Sequence, residues 1–184
     1  MRLTAYLPLF AMLAASTATA APWVIDPAKS TLTFTGTQAG DAFTGKFTKF
    51  TPVVEFDPEK PEAGKITVTV DMASASIKDA DKQESLPTED WFFIEKFPTA
   101  TFTSSAIRKT ADGFLAEGTL NLRGISQPVQ LPFSLKTQDS VTQAQGELVL
   151  QREKFGVGQG QWKDDQWIAF PVTVAFHLYA TPGK

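Results

Sequence analysis

The sequence has no cysteine and only one histidine, His177. Without thiols there is no disulfide and no thiolate metal site, so stability in any compartment must come from packing. A lone imidazole gives neither the clustered ligands of a zinc site nor a nucleophile–base–orienter set. Basic charge is also short, with Lys+Arg 17 against Asp+Glu 20 and a net charge of −3. The basic surface that nucleic-acid binding requires is therefore missing. Beyond the first twenty residues no apolar run is long enough to cross a bilayer, and no long stretch follows the helical period.

The first twenty residues differ from the rest. Met1-Arg2 is a short positive start, Leu3 to Ala15 is mostly apolar around Leu7, Leu9, Phe10, Met12 and Leu13, and Ala18-Thr19-Ala20 is a small-x-small site. These are the three parts of a secretory signal peptide. The expected organisation is a cleaved leader over residues 1–20 and one domain over 21–184, delivered to the periplasm.

What fills the remaining chain is period-two alternation. Leu32 and Phe34 alternate with threonines, and Ile66, Val68, Val70 and Met72 with Thr67, Thr69 and Asp71. Phe114, Ala116, Leu120 and Leu122 share one parity, as do Val129, Leu131, Phe133 and Leu135. The longest run is Ile168, Phe170, Val172, Val174, Phe176 and Leu178. Each run gives a strand one apolar and one more polar face. Turn residues separate them at Asp57-Pro58, Pro61 to Gly64, Asp112-Gly113, Arg123-Gly124 and Lys163 to Asp165. The pattern predicts an all-β fold of about eight or nine antiparallel strands. A barrel removes every sheet edge and a sandwich only some of them, and the length of the runs favours a barrel, but the alternation alone leaves both open. One short helix is expected over Pro87 to Glu95, capped by Thr88 and stopped before Pro98.

Candidate chemistry is sparse. His177 lies on the parity opposite Phe176 and Leu178, hence on the outer face. The carboxylates Asp79, Asp81, Glu84, Glu89 and Asp90 do not follow a calcium-loop spacing and read as a solvated loop and helix start. Phe155-Gly156-Val157-Gly158-Gln159-Gly160 looks like a phosphate loop, but strands flank it on both sides, so a flexible connection or a bend at the barrel rim is expected. Neither catalytic residues nor a metal nor a cofactor are expected. The 15 phenylalanines would either fill a packed barrel or line a ligand cavity, and the alternation alone leaves both open.

Several segments together resemble the YceI-like family of polyisoprenoid-binding proteins. They are the opening Trp23-Val24-Ile25-Asp26 with Ser30, Leu32 and Phe34, and then Gly45-Lys46-Phe47-Thr48-Lys49-Phe50 before Val54-Glu55-Phe56-Asp57-Pro58. Asp71-Met72-Ala73-Ser74 follows. The most specific piece is Glu89-Asp90-Trp91-Phe92 with Phe97-Pro98-Thr99-Ala100-Thr101-Phe102-Thr103-Ser104. Gly118 to Gly124 with Pro128-Val129, and Arg152 with Phe155-Gly156, complete the set. Many relatives carry histidines where this chain has Lys29 and Thr37-Gln38-Ala39, so a head-group role for those histidines does not carry over.

The resemblance implies a single antiparallel lipocalin-like barrel of about eight strands with one short helix, around an apolar tunnel that binds a prenyl quinone or prenyl phosphate without catalysis. Combined with the alternation, it assigns Leu120, Leu122, Leu131, Phe133, Val172, Val174 and Phe176 to the lumen and the ligand tail. At about 0.8 kcal/mol per buried CH₂, each five-carbon unit would gain on the order of 3–4 kcal/mol. The expected partner is thus an isoprenoid lipid or quinone, with no nucleic acid. An alternative is an interaction partner of a membrane redox complex of the b-type cytochrome kind, holding no ligand. An enzyme acting on a lipid head group is a third reading, for which the chain offers no motif. Monomer and dimer both stay open.

Overall fold

The computed structural model describes residues 22–183. The leader expected over 1–20 lies outside the described residues. Eleven strands follow in chain order: β1 (Trp23–Ile25), β2 (Thr31–Gln38), β3 (Asp41–Phe47), β4 (Phe50–Glu55), β5 (Lys65–Asp71), β6 (Ala75–Ile77), β7 (Thr99–Thr110), β8 (Gly113–Leu122), β9 (Ile125–Gln138), β10 (Val141–Gln151) and β11 (Pro171–Pro182). One α-helix, α1 (Ala80–Ser85), lies between β6 and β7. Hydrogen-bonded neighbours run β4-β5-β7-β8-β9-β10-β11-β2-β3-β6, and β1 pairs separately with β11. All these pairings are antiparallel.

The all-β expectation holds, but the strand count exceeds eight and the sheet is a curled half-barrel. No ladder joins the end strands β4 and β6. The free edge of β4 is instead tied to other segments at its two ends. At one end the Lys49 amide donates to Ser74 Oγ and the Asp71 amide to the Lys49 carbonyl. At the other, β1 lies alongside β11, Pro22 forms a bridge with Glu55, and Trp23 Nε1 donates to the Phe56 carbonyl at 2.8 Å. The strands the alternation missed are short, interrupted or lined by small and polar residues. In β7 the register shifts between Ser104 and Ala106, which reverses the parity midway. In β10 the inward positions include Thr142, Ala144 and Gly146, too small or polar to register as an apolar face.

The opening motif has a structural explanation. β1 and β2 share one edge of β11, at Ala180–Pro182 and Thr173–His177 respectively. The link between them is a knot of hydrogen bonds. The Asp26 amide donates to the Tyr179 carbonyl, Ser30 Oγ donates to the Asp26 carbonyl, and the Tyr179 amide donates to Ser30 Oγ. Ser30 is buried there, and its hydroxyl both donates and accepts.

The expected helix over Pro87–Glu95 does not form. Thr88 Oγ1 donates back to the Ser85 carbonyl instead of accepting from a following amide. Phe93 sits at φ 49, in the left-handed region, and the amides of Phe92 and Ile94 turn back to Leu86 and Pro87. The helix that does form starts eight residues earlier in sequence than Thr88, at Ala80. Its cap is Asp79, whose carboxylate accepts from the Lys82 amide and from Lys82 Nζ. The adjacent Lys82 holds the Asp79 carboxyl below its ordinary pKa.

Candidate functional site

The inward residues of the curled sheet enclose one cavity of about 240 Å³. Every strand except β6 sends residues to its wall. β5 contributes Ile66, Val68 and Val70, β10 contributes Ala144, Leu148 and Leu150, and the turn after α1 adds Leu86, Trp91 and Phe92. All seven residues assigned to the lumen lie on this wall: Leu120 and Leu122 on β8, Leu131 and Phe133 on β9, and Val172, Val174 and Phe176 on β11. The physical basis is the pleat, which sends alternate side chains inward.

Two packed aromatic groups lie along the cavity. Phe56, Phe114 and Phe133 form one, with ring centroids 5.1, 5.6 and 5.4 Å apart. Phe34, Phe47 and Phe92 form the other at 5.2, 6.4 and 6.1 Å. Leu120 and Val129 pack against both hydrophobic clusters, which places them between the two groups. The backbone at Gly45 runs directly under the Phe34 ring, where an added Cβ would collide with it. Both phenylalanine functions left open by the alternation are therefore present, since the rings fill the core and also face the cavity.

Of the lining residues Arg152 alone is charged, and no Ser, Thr, Asn, Gln, Asp or Glu is among them. Arg152 is 3% exposed and faces no carboxylate within ion-pair distance among the described residues. Its Nε donates to the Ala169 carbonyl at 3.1 Å and its Nη1 to Val157 at 3.0 Å. Its Nη2 donates to Asp164 at 2.7 Å and to Ile168 at 2.6 Å. The guanidinium also lies over the rings of Trp91 and Phe170, 5.9 and 5.3 Å from their centroids. Burial lowers its pKa from the ordinary arginine value, although an arginine stays charged. Four of its five N–H groups thus serve as a rivet for the Phe155–Ala169 segment.

That segment corrects the expectation of a flexible glycine loop. Arg152–Phe155 and Gly160–Trp162 are tight 3₁₀ turns, and the amides of Gly158 and Gln159 both donate to the Asp90 carbonyl. Gly158, at φ 82, passes so close to Nη1 of Arg152 that a side chain there would collide with it. Gly158 thus makes room for the arginine, while Gly156 and Gly160 lie against Arg123 and Asp90. Arg152 was visible in sequence only as part of a motif, because a charged residue at a strand end reads as surface. Ile168 reaches the cavity, but Phe170 lies under the guanidinium, and β11 begins only at Pro171.

His177 faces outward, its ring 4.7 Å from Tyr179 and its Nε2 3.3 Å from Gln143 Oε1. Among the described residues no group of three or more His, Asp or Glu is arranged to hold a metal ion. No helix among them is long and apolar enough to cross a membrane.

Comparison with known proteins agrees with this geometry. The model of the YceI-like domain family matches residues 23–180. The chain is 34% identical over 94 residues to the UPF0312 protein YE1254 of Yersinia enterocolitica, covering 51% of this chain and 49% of that one. It has the same identity over 94 residues to the protein YceI of Salmonella arizonae, and so spans about half the length of the curated relatives it matches. Among solved structures, BcnA of Burkholderia cenocepacia superposes with a TM-score of 0.82 at 34% identity, over 86% of this chain and all of that one. A protein of Saccharophagus degradans described as a polyisoprenoid binding domain superposes at 0.67 with 16% identity, over 89% and 99%.

Proposed function

This chain belongs to the YceI-like domain family, and from that premise we propose that it is an exported, non-catalytic protein that holds a long isoprenoid chain in the half-barrel lumen. The carrying observation is the cavity wall, where the one charged side chain is already bonded to backbone carbonyls. Such a wall offers a ligand hydrocarbon contact and almost nothing else, so it favours a tail over a polar metabolite. The polyisoprenoid-binding description of the Saccharophagus protein, which shares the fold, supports the same class of ligand. Binding strength then follows buried hydrocarbon, and a prenyl quinone or prenyl phosphate would keep its head at a rim where water is available.

The test is mass spectrometry of an organic extract from protein purified without detergent. A stoichiometric isoprenoid is expected. A clean blank, together with no uptake of added prenyl quinone, would overturn the reading and favour the interaction partner of a membrane redox protein.

Export carries its own prediction. Cleavage at the Ala18-Thr19-Ala20 site should leave a mature chain beginning at Ala21. Intact-mass measurement of periplasmic protein checks it, and a chain there that retains residues 1–20 would refute it.

A further inference from the structure

The wall of the half-barrel has a break inside it. β9 and β10 are joined by a hairpin and pair from Val141↔Gln138 to Gly146↔Phe133. There the ladder stops, although β9 continues back to Ile125 and β10 forward to Gln151. In the backbone ladder, the lower half of β9 pairs only with β8 and the lower half of β10 only with β11.

The sequence explains why the pairing stops there. An ideal Cβ on Gly146 of β10 would strike the Pro132 carbonyl oxygen, and one on Gly113 of β8 would strike the Phe133 carbonyl. Pro132 therefore presents its backbone to β10, and Phe133 presents its own to β8. Backbone groups alternate along a strand, so Pro128 and Gln130 also face β10. Two of these three positions are proline and have no N–H to donate. Continued pairing would oppose Pro132 to Glu147, Gln130 to Val149 and Pro128 to Gln151, with a single donor left on the β9 side. The same prolines cost nothing toward β8, because they face away from it.

The break is a bounded window. Above it is the paired hairpin. Below it, Gln127 Nε2 donates to the Lys154 carbonyl of the turn after β10. Residues 128–132 span about 16 Å at ~3.3 Å per residue. Val129 and Leu131 on one side and Leu148 and Leu150 on the other all line the cavity, and Val149 is 59% exposed at the margin.

We propose that this window is the lateral portal through which an apolar chain enters and leaves the lumen. The proposal rests on the lumen-binding reading above. A portal in the wall suits a long branched tail, which can slide in sideways between two unpaired strands. It also makes Pro128 and Pro132 determinants of exchange rate although neither touches the lumen.

The test uses the absence of native cysteine. In the double variant Gln130→Cys/Val149→Cys the new thiols face each other across the window. They are joined by oxidation or, where the span exceeds a disulfide, by a short bis-maleimide. The probe is geranylgeraniol, with uptake and release followed by stopped-flow fluorescence of Trp23 and Trp91, which both line the cavity. A control staple, Lys136→Cys/Gln143→Cys, joins residues already paired in the ladder. The bridged window variant is expected to exchange at least tenfold more slowly in both directions, with little change in Kd, and reduction of its disulfide should restore the rates. The control staple should leave the rates unchanged. Equal rates with the window bridged and open, or equal slowing by both staples, would overturn the portal. If the unbridged and native proteins bind no geranylgeraniol, the lumen-binding reading fails, and the portal with it. A second variant, Pro128→Val/Pro132→Val, should zip the strands, giving added amide exchange protection at Gln130, Glu147 and Val149 and slower release. Absence of added protection, or protection without slower release, would also overturn the proposal.

Discussion

Replacing Arg152 by methionine is expected to destabilise the protein by about 3–5 kcal/mol, more than removal of any single surface charge. Methionine keeps much of the side-chain volume but gives up every donor. The carbonyls of Val157 and Ile168 then lose a charged partner at buried positions, and those of Ala169 and Asp164 at part-buried ones. A buried acceptor left without a partner costs about 1–3 kcal/mol, and the two deep ones dominate. No carboxylate is stranded by the change, because the guanidinium makes no ion pair. Arg152→Lys should fall between, since one ammonium cannot reach carbonyls on both sides of the segment. The measurement is urea denaturation with the slope compared between variants. A loss below about 1 kcal/mol at unchanged slope would show that water replaces these bonds and that the rivet is dispensable.

The second large effect tests the proposed lumen ligand. Val172 and Thr173 are adjacent on β11, but only Val172 lines the cavity. Val172→Trp should fill part of a 240 Å³ space and sharply reduce isoprenoid carried per chain. Overpacking should lower stability by about 1–3 kcal/mol. Thr173→Trp puts the same ring on the outer face, where carried isoprenoid should be nearly unchanged. Extraction and mass spectrometry read the ligand, and circular dichroism confirms that both variants fold. Loss in the Thr173 variant with retention in the Val172 variant would invert the assigned facing. No change in either would remove the tail from this depth of the lumen.

The facing of β8, β9 and β11 was legible because each carries large apolar residues at every second position over a long run. Leu131 and Phe133 needed nothing beyond the pleat. Other features lacked such a signal. β7 hides behind an extra residue at Ser105, and β10 behind Ala144 and Gly146, where facing residues take up the space. The helix was misplaced because Thr88, Glu89 and Asp90 carry good cap chemistry. However, the carbonyls of Leu86 and Pro87 and the left-handed Phe93 commit that stretch to turns. Arg152 illustrates a different limit. Its partners are carbonyls as far along the chain as Ala169, and a main-chain acceptor has no letter in the sequence. The break between β9 and β10 was written as Pro128 and Pro132, but which neighbour those prolines face depends on register, and register is fixed only by the folded sheet.

The seam at β1 bears on the order of assembly. Trp23 pairs with Pro182, so the first strand and the last must both exist before that edge is satisfied. Few contacts in the molecule span more of the chain, and such contacts form late because loop closure precedes any gain from pairing. The sheet therefore cannot be completed before β11 is available to pair. Until β11 arrives, the edges of β2 and β10 stand open, and no disulfide is available to hold them. The interval before that last strand docks is when the polypeptide is most exposed to wrong partners and most in need of a chaperone.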